Sequence, residues 1–295
     1  MSVTDIDLAL ALGGLVAGLM VGLTGMGGAA LVTPMLVLLF GIPPAAAVSS
    51  DVVASAFMKP VGAAVHMRSK TVHWGLVSWL SLGSIPGVLF GTLVFARVLA
   101  TSGADETIRT WLGVTLIIAL GAMLLKTYLT SRSTKIHGEQ ELLGTSMPVR
   151  IVPTIALGLV IGLIVGMTSV GSGSLMVTVL MLIYPLLRPS VLVGTDLTQA
   201  VPMLIAGAIA HAGLGEIDVA VVISLLIGQL PGVYFGAKLS SRYDGHRLRY
   251  LLMVMLAATA LKLLGAPSVL AGSIAIVGVV IIGGMIVRER VRSTP

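Results

Sequence analysis

A short polar, glycine-rich interruption inside a long apolar segment occurs twice in this chain. It appears first as Gly22-Leu23-Thr24-Gly25-Met26-Gly27-Gly28 and returns as Gly166-Met167-Thr168-Ser169-Val170-Gly171-Ser172. Irregular backbone is tolerated at membrane depth only where protein buries it or a cavity receives it, because lipid offers no hydrogen bonds to its N–H and C=O groups. A membrane chain that keeps two such breaks must build an interior around them. The flanking segments are membrane-like: 56% of the 295 residues are hydrophobic and 10% are charged. The apolar runs repeatedly reach the roughly 20 residues that cross a bilayer as helix. The fold class this specifies is an all-α polytopic membrane protein.

The breaks belong to a longer duplication, the kind of repeat that decides how the rest of a chain is read. Gly18, Leu19, Val21, Gly22, Thr24, Gly27 and Leu31 recur as Gly162, Leu163, Val165, Gly166, Thr168, Gly171 and Leu175. Further on, Asp51 matches Asp196, His66 matches His211, and Pro86-Gly87-Val88-Leu89-Phe90-Gly91 matches Pro231-Gly232-Val233-Tyr234-Phe235-Gly236. The organisation expected is a first transmembrane repeat over 1–129, a polar cytoplasmic linker over 130–150, a second repeat over 151–265, and a C-terminal transmembrane helix with a basic tail over 266–295.

Each repeat reads as a broken segment followed by three long apolar ones, near 45–66, 72–98 and 107–128 and again near 189–212, 217–239 and 246–264. After the first break, the stretch from Ala30 to Phe40 supplies about 16 Å of helix, half of a roughly 30 Å hydrocarbon core. Each broken segment is therefore expected to be a re-entrant hairpin. Three crossings per half then make the second repeat inverted relative to the first. The basic residues agree with this topology. With the N-terminus outside and the C-terminus cytoplasmic, only Arg97, Arg109 and Lys262 of the 18 Lys and Arg lie outside and Lys59 lies within the membrane. The net charge of +6 thus reports topology, and a nucleic-acid partner is not expected. With no cysteine, disulfides, thiolate catalysis and Cys-ligated metals are excluded. Asp5 and Asp7 stand where a signal peptide needs basic residues, so the first apolar stretch is expected to be retained.

Gly14, Gly18 and Gly22, with Gly158, Gly162 and Gly166, are spaced four apart and share a helix face, the pattern of close helix packing. The residues just beyond lose that spacing and gain hydroxyls: Thr24, Gly25, Gly27 and Gly28 in one copy, Thr168, Ser169, Gly171, Ser172, Gly173 and Ser174 in the other. A helix restarting at Gly28 or Ser172 offers unpaired N–H groups and a positive dipole end, which together suit an anion. In an inverted repeat two such starts face one another near mid-membrane. The alternative is a break satisfied by neighbouring helices and water.

Asp51, after Ser49 and Ser50, and Asp196, after Thr195, fall about 9–10 Å inside their helices. Ionisable groups at that depth are costly, which makes both candidates for proton or sodium coupling; the competing role is an internal cap of a restarted helix. Lys59, matched by Leu204, makes the site asymmetric, and it could pair with Asp51, bind the anion or snorkel to the surface. His66 and His211 fall at span ends, where a polar terminus is commoner than a proton relay. Pro86-Gly87 and Pro231-Gly232 are read as static kinks or hinges. Gln199 is a candidate cavity-lining group.

On these residues the chain resembles the TauE/SafE superfamily of sulfite and organosulfonate exporters. The features are Gly25-Met26-Gly27-Gly28 followed by Pro34, Ser49-Ser50-Asp51 with Gly194-Thr195-Asp196, and Pro-Gly-x-x-Phe-Gly in both halves, covering roughly 10–265. The resemblance implies a secondary transporter of small sulfur-containing anions such as sulfite, sulfoacetate or other sulfonates in an inner membrane, without a cofactor and not an enzyme. Ser49-Ser50 replaces the family's usual Thr-Ser, and Ser169 and Ser172 replace glycines. The readings that compete are a cation-coupled carrier or channel for another small anion, a membrane scaffold, and an intramembrane enzyme with Asp51 and Asp196 as an aspartyl dyad. The Gly-x-Gly-Asp signature of such enzymes is missing from Gly194-Thr195-Asp196. Beyond the small anion and the bilayer, a homodimer is left open.

Overall fold

A computed structural model describes residues 7–24, 29–136, 147–240, 246–270 and 272–273. Ten helices lie among them: α1 (Leu8–Thr24), α2 (Ala29–Leu38), α3 (Pro44–Arg68), α4 (Trp74–Leu99), α5 (Ala104–Ile136), α6 (Ile151–Thr168), α7 (Ser174–Ile183), α8 (Pro189–Ala212), α9 (Val219–Ser240) and α10 (His246–Leu263). Local chemistry sets several starts. Proline opens α3 and α8, where its missing N–H costs nothing. The Asp7 carboxylate accepts from the N–H groups of Ala9 and Leu10 to cap α1, and Asp218 does the same for Ala220 and Val221 ahead of α9. His73 caps α4 by accepting from Leu76 N–H.

Five helical segments are long and apolar enough to cross a membrane: Trp74–Leu99, Ala104–Leu125, Ile151–Thr168, Pro189–Ala212 and Val219–Gly236. Helix α3 has the length, at 25 residues, but carries Ser49, Ser50, Asp51, Ser55 and Lys59, all buried. It is a core helix. The long segments expected from the sequence match α3, α4, α8, α9 and α10 to within about two residues. Helix α5 differs, continuing to Ile136 into the stretch read as a linker. Residues 137–146 of that linker and 274–295 of the C-terminal segment lie outside the described residues.

The tightest packing joins the halves crosswise, α1 on α9 and α4 on α6. A Cβ added at Gly14 or Gly18 would strike backbone of Leu225 and Gln229, and one at Gly228 or Gly232 would strike Ala11 and Leu15. In the second pair Gly83, Gly87 and Gly91 meet Ile155, Leu159 and Leu163, while Gly158, Gly162 and Gly166 meet Leu80, Ser84 and Val88. The glycines therefore put backbone against backbone, as their spacing predicts. Gly87 and Gly232, read with their prolines as kinks or hinges, are crossing points in these contacts.

Helices α3 and α8 run antiparallel through the centre. Ser49 meets His211, Val52 meets Gly207, Gly62 meets Leu197, and His66 meets Gly194. Exchanging each helix for its counterpart in the other half turns the α1–α9 pair into α6–α4 and leaves α3–α8 unchanged.

Replacing Gly162 by leucine forces backbone apart at the α4–α6 crossing, where overpacking costs roughly 1–3 kcal/mol or more. A Cβ at Gly121 meets nothing within 4 Å, so Gly121→Leu is the matched control. Thermal melting in detergent is expected to place Gly162→Leu well below the parent and Gly121→Leu close to it; equal melting points would contradict the packing role.

Candidate functional site

The second break is fully described. Helix α6 stops at Thr168, and Ser169 turns left-handed with φ 60° while its N–H still reaches the Val165 carbonyl. Two glycines follow at positive φ, Gly171 at 139° and Gly173 at 104°, before α7 begins at Ser174. Thr168 steadies the turn by donating to the Ile164 carbonyl and accepting from Val170 N–H. A left-handed residue with a Cβ costs about 1–2 kcal/mol, and the first copy carries Gly25 at the matching position. What Ser169 contributes is its hydroxyl, which donates to Asp51 Oδ2 at 3.0 Å. Ser172, Gly173 and Ser174 are buried beside it. In the first copy Thr24 ends α1, and Gly25, Gly27 and Gly28 lie outside the described residues.

Asp51 lies seven residues into α3, about 10 Å along it, and is fully buried. Helix α3 runs through this position without interruption, as α8 does through Asp196, so neither acid caps a restarted helix. Three hydroxyls converge on the Asp51 carboxylate. Thr33 of α2 donates to Oδ2 at 2.6 Å, Ser169 donates to the same oxygen, and Ser55 reaches Oδ1 at 3.4 Å. Burial of an ionised carboxylate is costly unless such donors meet it.

Asp196 accepts from Gln199 Nε2 at 3.4 Å, and Gln199 Oε1 accepts from Ser84 of α4 at 3.2 Å, so Gln199 ties the acid to a neighbouring helix. Lys59 is 2% exposed and does not snorkel. Its Nζ has no hydrogen-bond partner among the described residues. With Val21, Gly22, His66 and Leu197 it lines a cavity of about 20 Å³, room for about one water molecule.

Several residues expected to face a ligand instead form the joint between halves. Ser50 Oγ accepts from Asp218 N–H at 3.0 Å, and Thr195 Oγ1 accepts from His73 N–H at 3.0 Å. These bonds are counterparts, each tying a central helix to the residue that caps α9 or α4. His211 is buried against Phe95, its ring 5.0 Å away, and not at a wet span end. Its Nε2 lies 2.9 Å from the Gly166 carbonyl, which can only accept, so Nε2 carries the proton and Nδ1 accepts from the Ser49 hydroxyl at 2.9 Å in the neutral ring. The matching His66 turns to Thr71 at 2.9 Å, because Gly194 stands where its serine would be.

The sequence reading missed Thr33, Ser55, Ser84 and Gln229. Gln229 is fully buried, and neither amide atom has a partner among the described residues. Signals existed: Ser55 lies one turn after Asp51, Thr33 is a hydroxyl inside an apolar helix, and Ser84 and Gln229 occupy matching positions of the repeat.

Bilayer-length apolar helices enclosing two buried aspartates and a buried lysine define a multi-pass membrane protein with an ionisable core. The model of the sulfite exporter TauE/SafE family matches residues 10–263, and the chain belongs to that family of membrane transporters. It is 34% identical over 259 residues to YjnA of Bacillus subtilis (strain 168), described as a probable membrane transporter protein, covering 88% of this chain and 100% of that one. A second relative with the same description, YdhB of Bacillus subtilis (strain 168), is 27% identical over 225 residues, covering 76% of this chain and 86% of the relative. No solved structure matches.

Leaving a buried N–H without its acceptor costs about 1–3 kcal/mol. Ser50→Ala and Thr195→Ala are each expected to lower stability by that amount, measured by thermal melting in detergent. A loss in only one of the two would show that the joints are not equivalent.

Proposed function

We propose that the protein is a secondary transporter that exports small sulfur-containing anions such as sulfite, sulfoacetate or another sulfonate across a bacterial inner membrane by alternating access. The observation that carries this reading is the buried second break, where the start of α7 meets Ser172, Ser174 and the Asp51 cluster inside a family of membrane transporters. The N-terminal N–H groups of α7 and the hydroxyls of Ser172 and Ser174 hold the oxyanion, and Thr24 belongs to the matching break of the first repeat. Lys59 supplies positive charge nearby. Asp51 and Asp196 provide coupling to a proton or sodium ion.

In this reading the two broken segments are re-entrant hairpins and the halves are inverted, with the N-terminus outside and the C-terminus cytoplasmic. The reciprocal pairing of α1 with α9 and α4 with α6 supports the inverted arrangement. Those pairs move as rigid units, because glycine contacts along their length leave no room to slide, and the relative motion falls on α3 and α8.

Ligand binding to the folded state raises its stability, by about 2.7 kcal/mol at a hundredfold excess over Kd. Thermal shift with sulfite, sulfoacetate, taurine, sulfate and acetate is expected to show stabilisation by at least one sulfur oxyanion and its loss in Ser172→Val and Thr24→Val. Stabilisation by acetate alone would move the reading to a carrier of another small anion. Because the chain has no cysteine, Ser2→Cys and Ser293→Cys give single-label reporters of topology. A membrane-impermeant thiol reagent applied to intact cells is expected to label the first and spare the second; the reverse would invert the orientation.

A further inference from the structure

We propose that the Asp51 cluster is a binding site for a monovalent cation of the sodium type. The carrier reading enters only in making this the coupling ion; the site itself rests on geometry.

The first observation is how hydroxyls behave elsewhere in the chain. Thr92, Thr110, Thr154, Thr178, Thr198 and Thr259 all donate to the carbonyl four residues back, the ordinary way a helical hydroxyl is satisfied. Thr33, Ser55 and Ser169 instead turn onto one carboxylate, from α2, α3 and the break. Five oxygen atoms from three parts of the fold are thus gathered in a buried space. Hard cations are held by such oxygen sets, and a single carboxylate matches a single positive charge. The set lies at the C-terminal end of α6, an 18-residue helix whose dipole is negative there, while α7 begins across the break with its positive end. One interruption therefore presents a cation-favouring end and an anion-favouring end side by side.

The second observation is the duplicate. Around Asp196 the counterparts of these groups have changed: Thr178 replaces Thr33 but bonds back to Ser174, and Ala200 replaces Ser55. Lys59 of α3 is buried, and its Nζ has no hydrogen bond among the described residues. Its counterpart on α8 is Leu204. Thr33 and Ser55 converge on Asp51, whereas of their counterparts one bonds back along its own helix and the other has no hydroxyl, so the oxygens at Asp51 are arranged for a charge from solution. The charged group that acts on Asp51 is Lys59, further along the same helix.

The test uses the full chain purified in choline chloride, titrated with sodium, lithium or potassium chloride at constant ionic strength. Sodium is expected to raise the melting temperature saturably, by roughly 2–8 °C. Asp51→Asn, Ser169→Ala and Thr33→Val are expected to weaken the apparent affinity at least tenfold, while Thr178→Val leaves it unchanged. No difference between choline and any of the three cations would overturn the proposal, as would an undiminished response in both Asp51→Asn and Ser169→Ala. A melting temperature that follows pH and ignores sodium would assign the site to a proton and overturn it too. Stabilisation by a sulfonate in choline alone, with no sodium response, would remove the cation site and leave the carrier reading standing.

Discussion

The structure depends on backbone meeting backbone across the two halves. Where α4 crosses α6 and α1 crosses α9, glycines let the helices approach until a methyl group would collide with the opposing carbonyl. In a bilayer the hydrophobic effect does little to hold apolar helices together, so dispersion and close fit must do it. Each tight pair takes one helix from each half, so neither half can pack this way alone. The central α3 and α8 are left to carry the polar residues, since the outer pairs shield them.

That shielding makes the charged core affordable in physical terms. Asp51 and Lys59 are buried, and each must be compensated by the chain, by a water molecule or by a ligand. The break between α6 and α7 supplies part of the compensation. Its left-handed Ser169 holds a strained conformation that places a hydroxyl on Asp51, and strain of this kind tends to persist where a site over-determines it. The cross-half bonds of Ser50 and Thr195 keep the caps of α9 and α4 in register with the same core, so site and scaffold share residues one position apart.

Much of the fold was legible in advance because its determinants are local and periodic. The four-residue glycine spacing gave the packing faces, and the apolar runs gave α8 to the residue. The duplication pointed to Asp51 and Asp196 as counterparts deep in core helices. The site was legible only in part. Ser49, Ser50 and Thr195 read as ligand-facing because they sit beside the acids, yet adjacent residues on a helix point about 100° apart and theirs turn into the joint. Thr33 and Gln229 were passed over because a lone polar residue in an apolar run carries no sign of what it will face. His211 was misjudged as interfacial because its place at a span end says nothing of the Phe95 ring and the Gly166 carbonyl that enclose it.

By itself the sequence determined a polytopic helical membrane protein of two related halves, each broken by glycine and each holding one acid. Apolar length, glycine spacing and internal repetition are properties of the chain before it folds. Tertiary structure alone decided that Asp51 would receive hydroxyls from α2 and from the second break. Those contacts join residues 18 and 118 positions apart, and the packing of one half against the other brings the distant pair within reach.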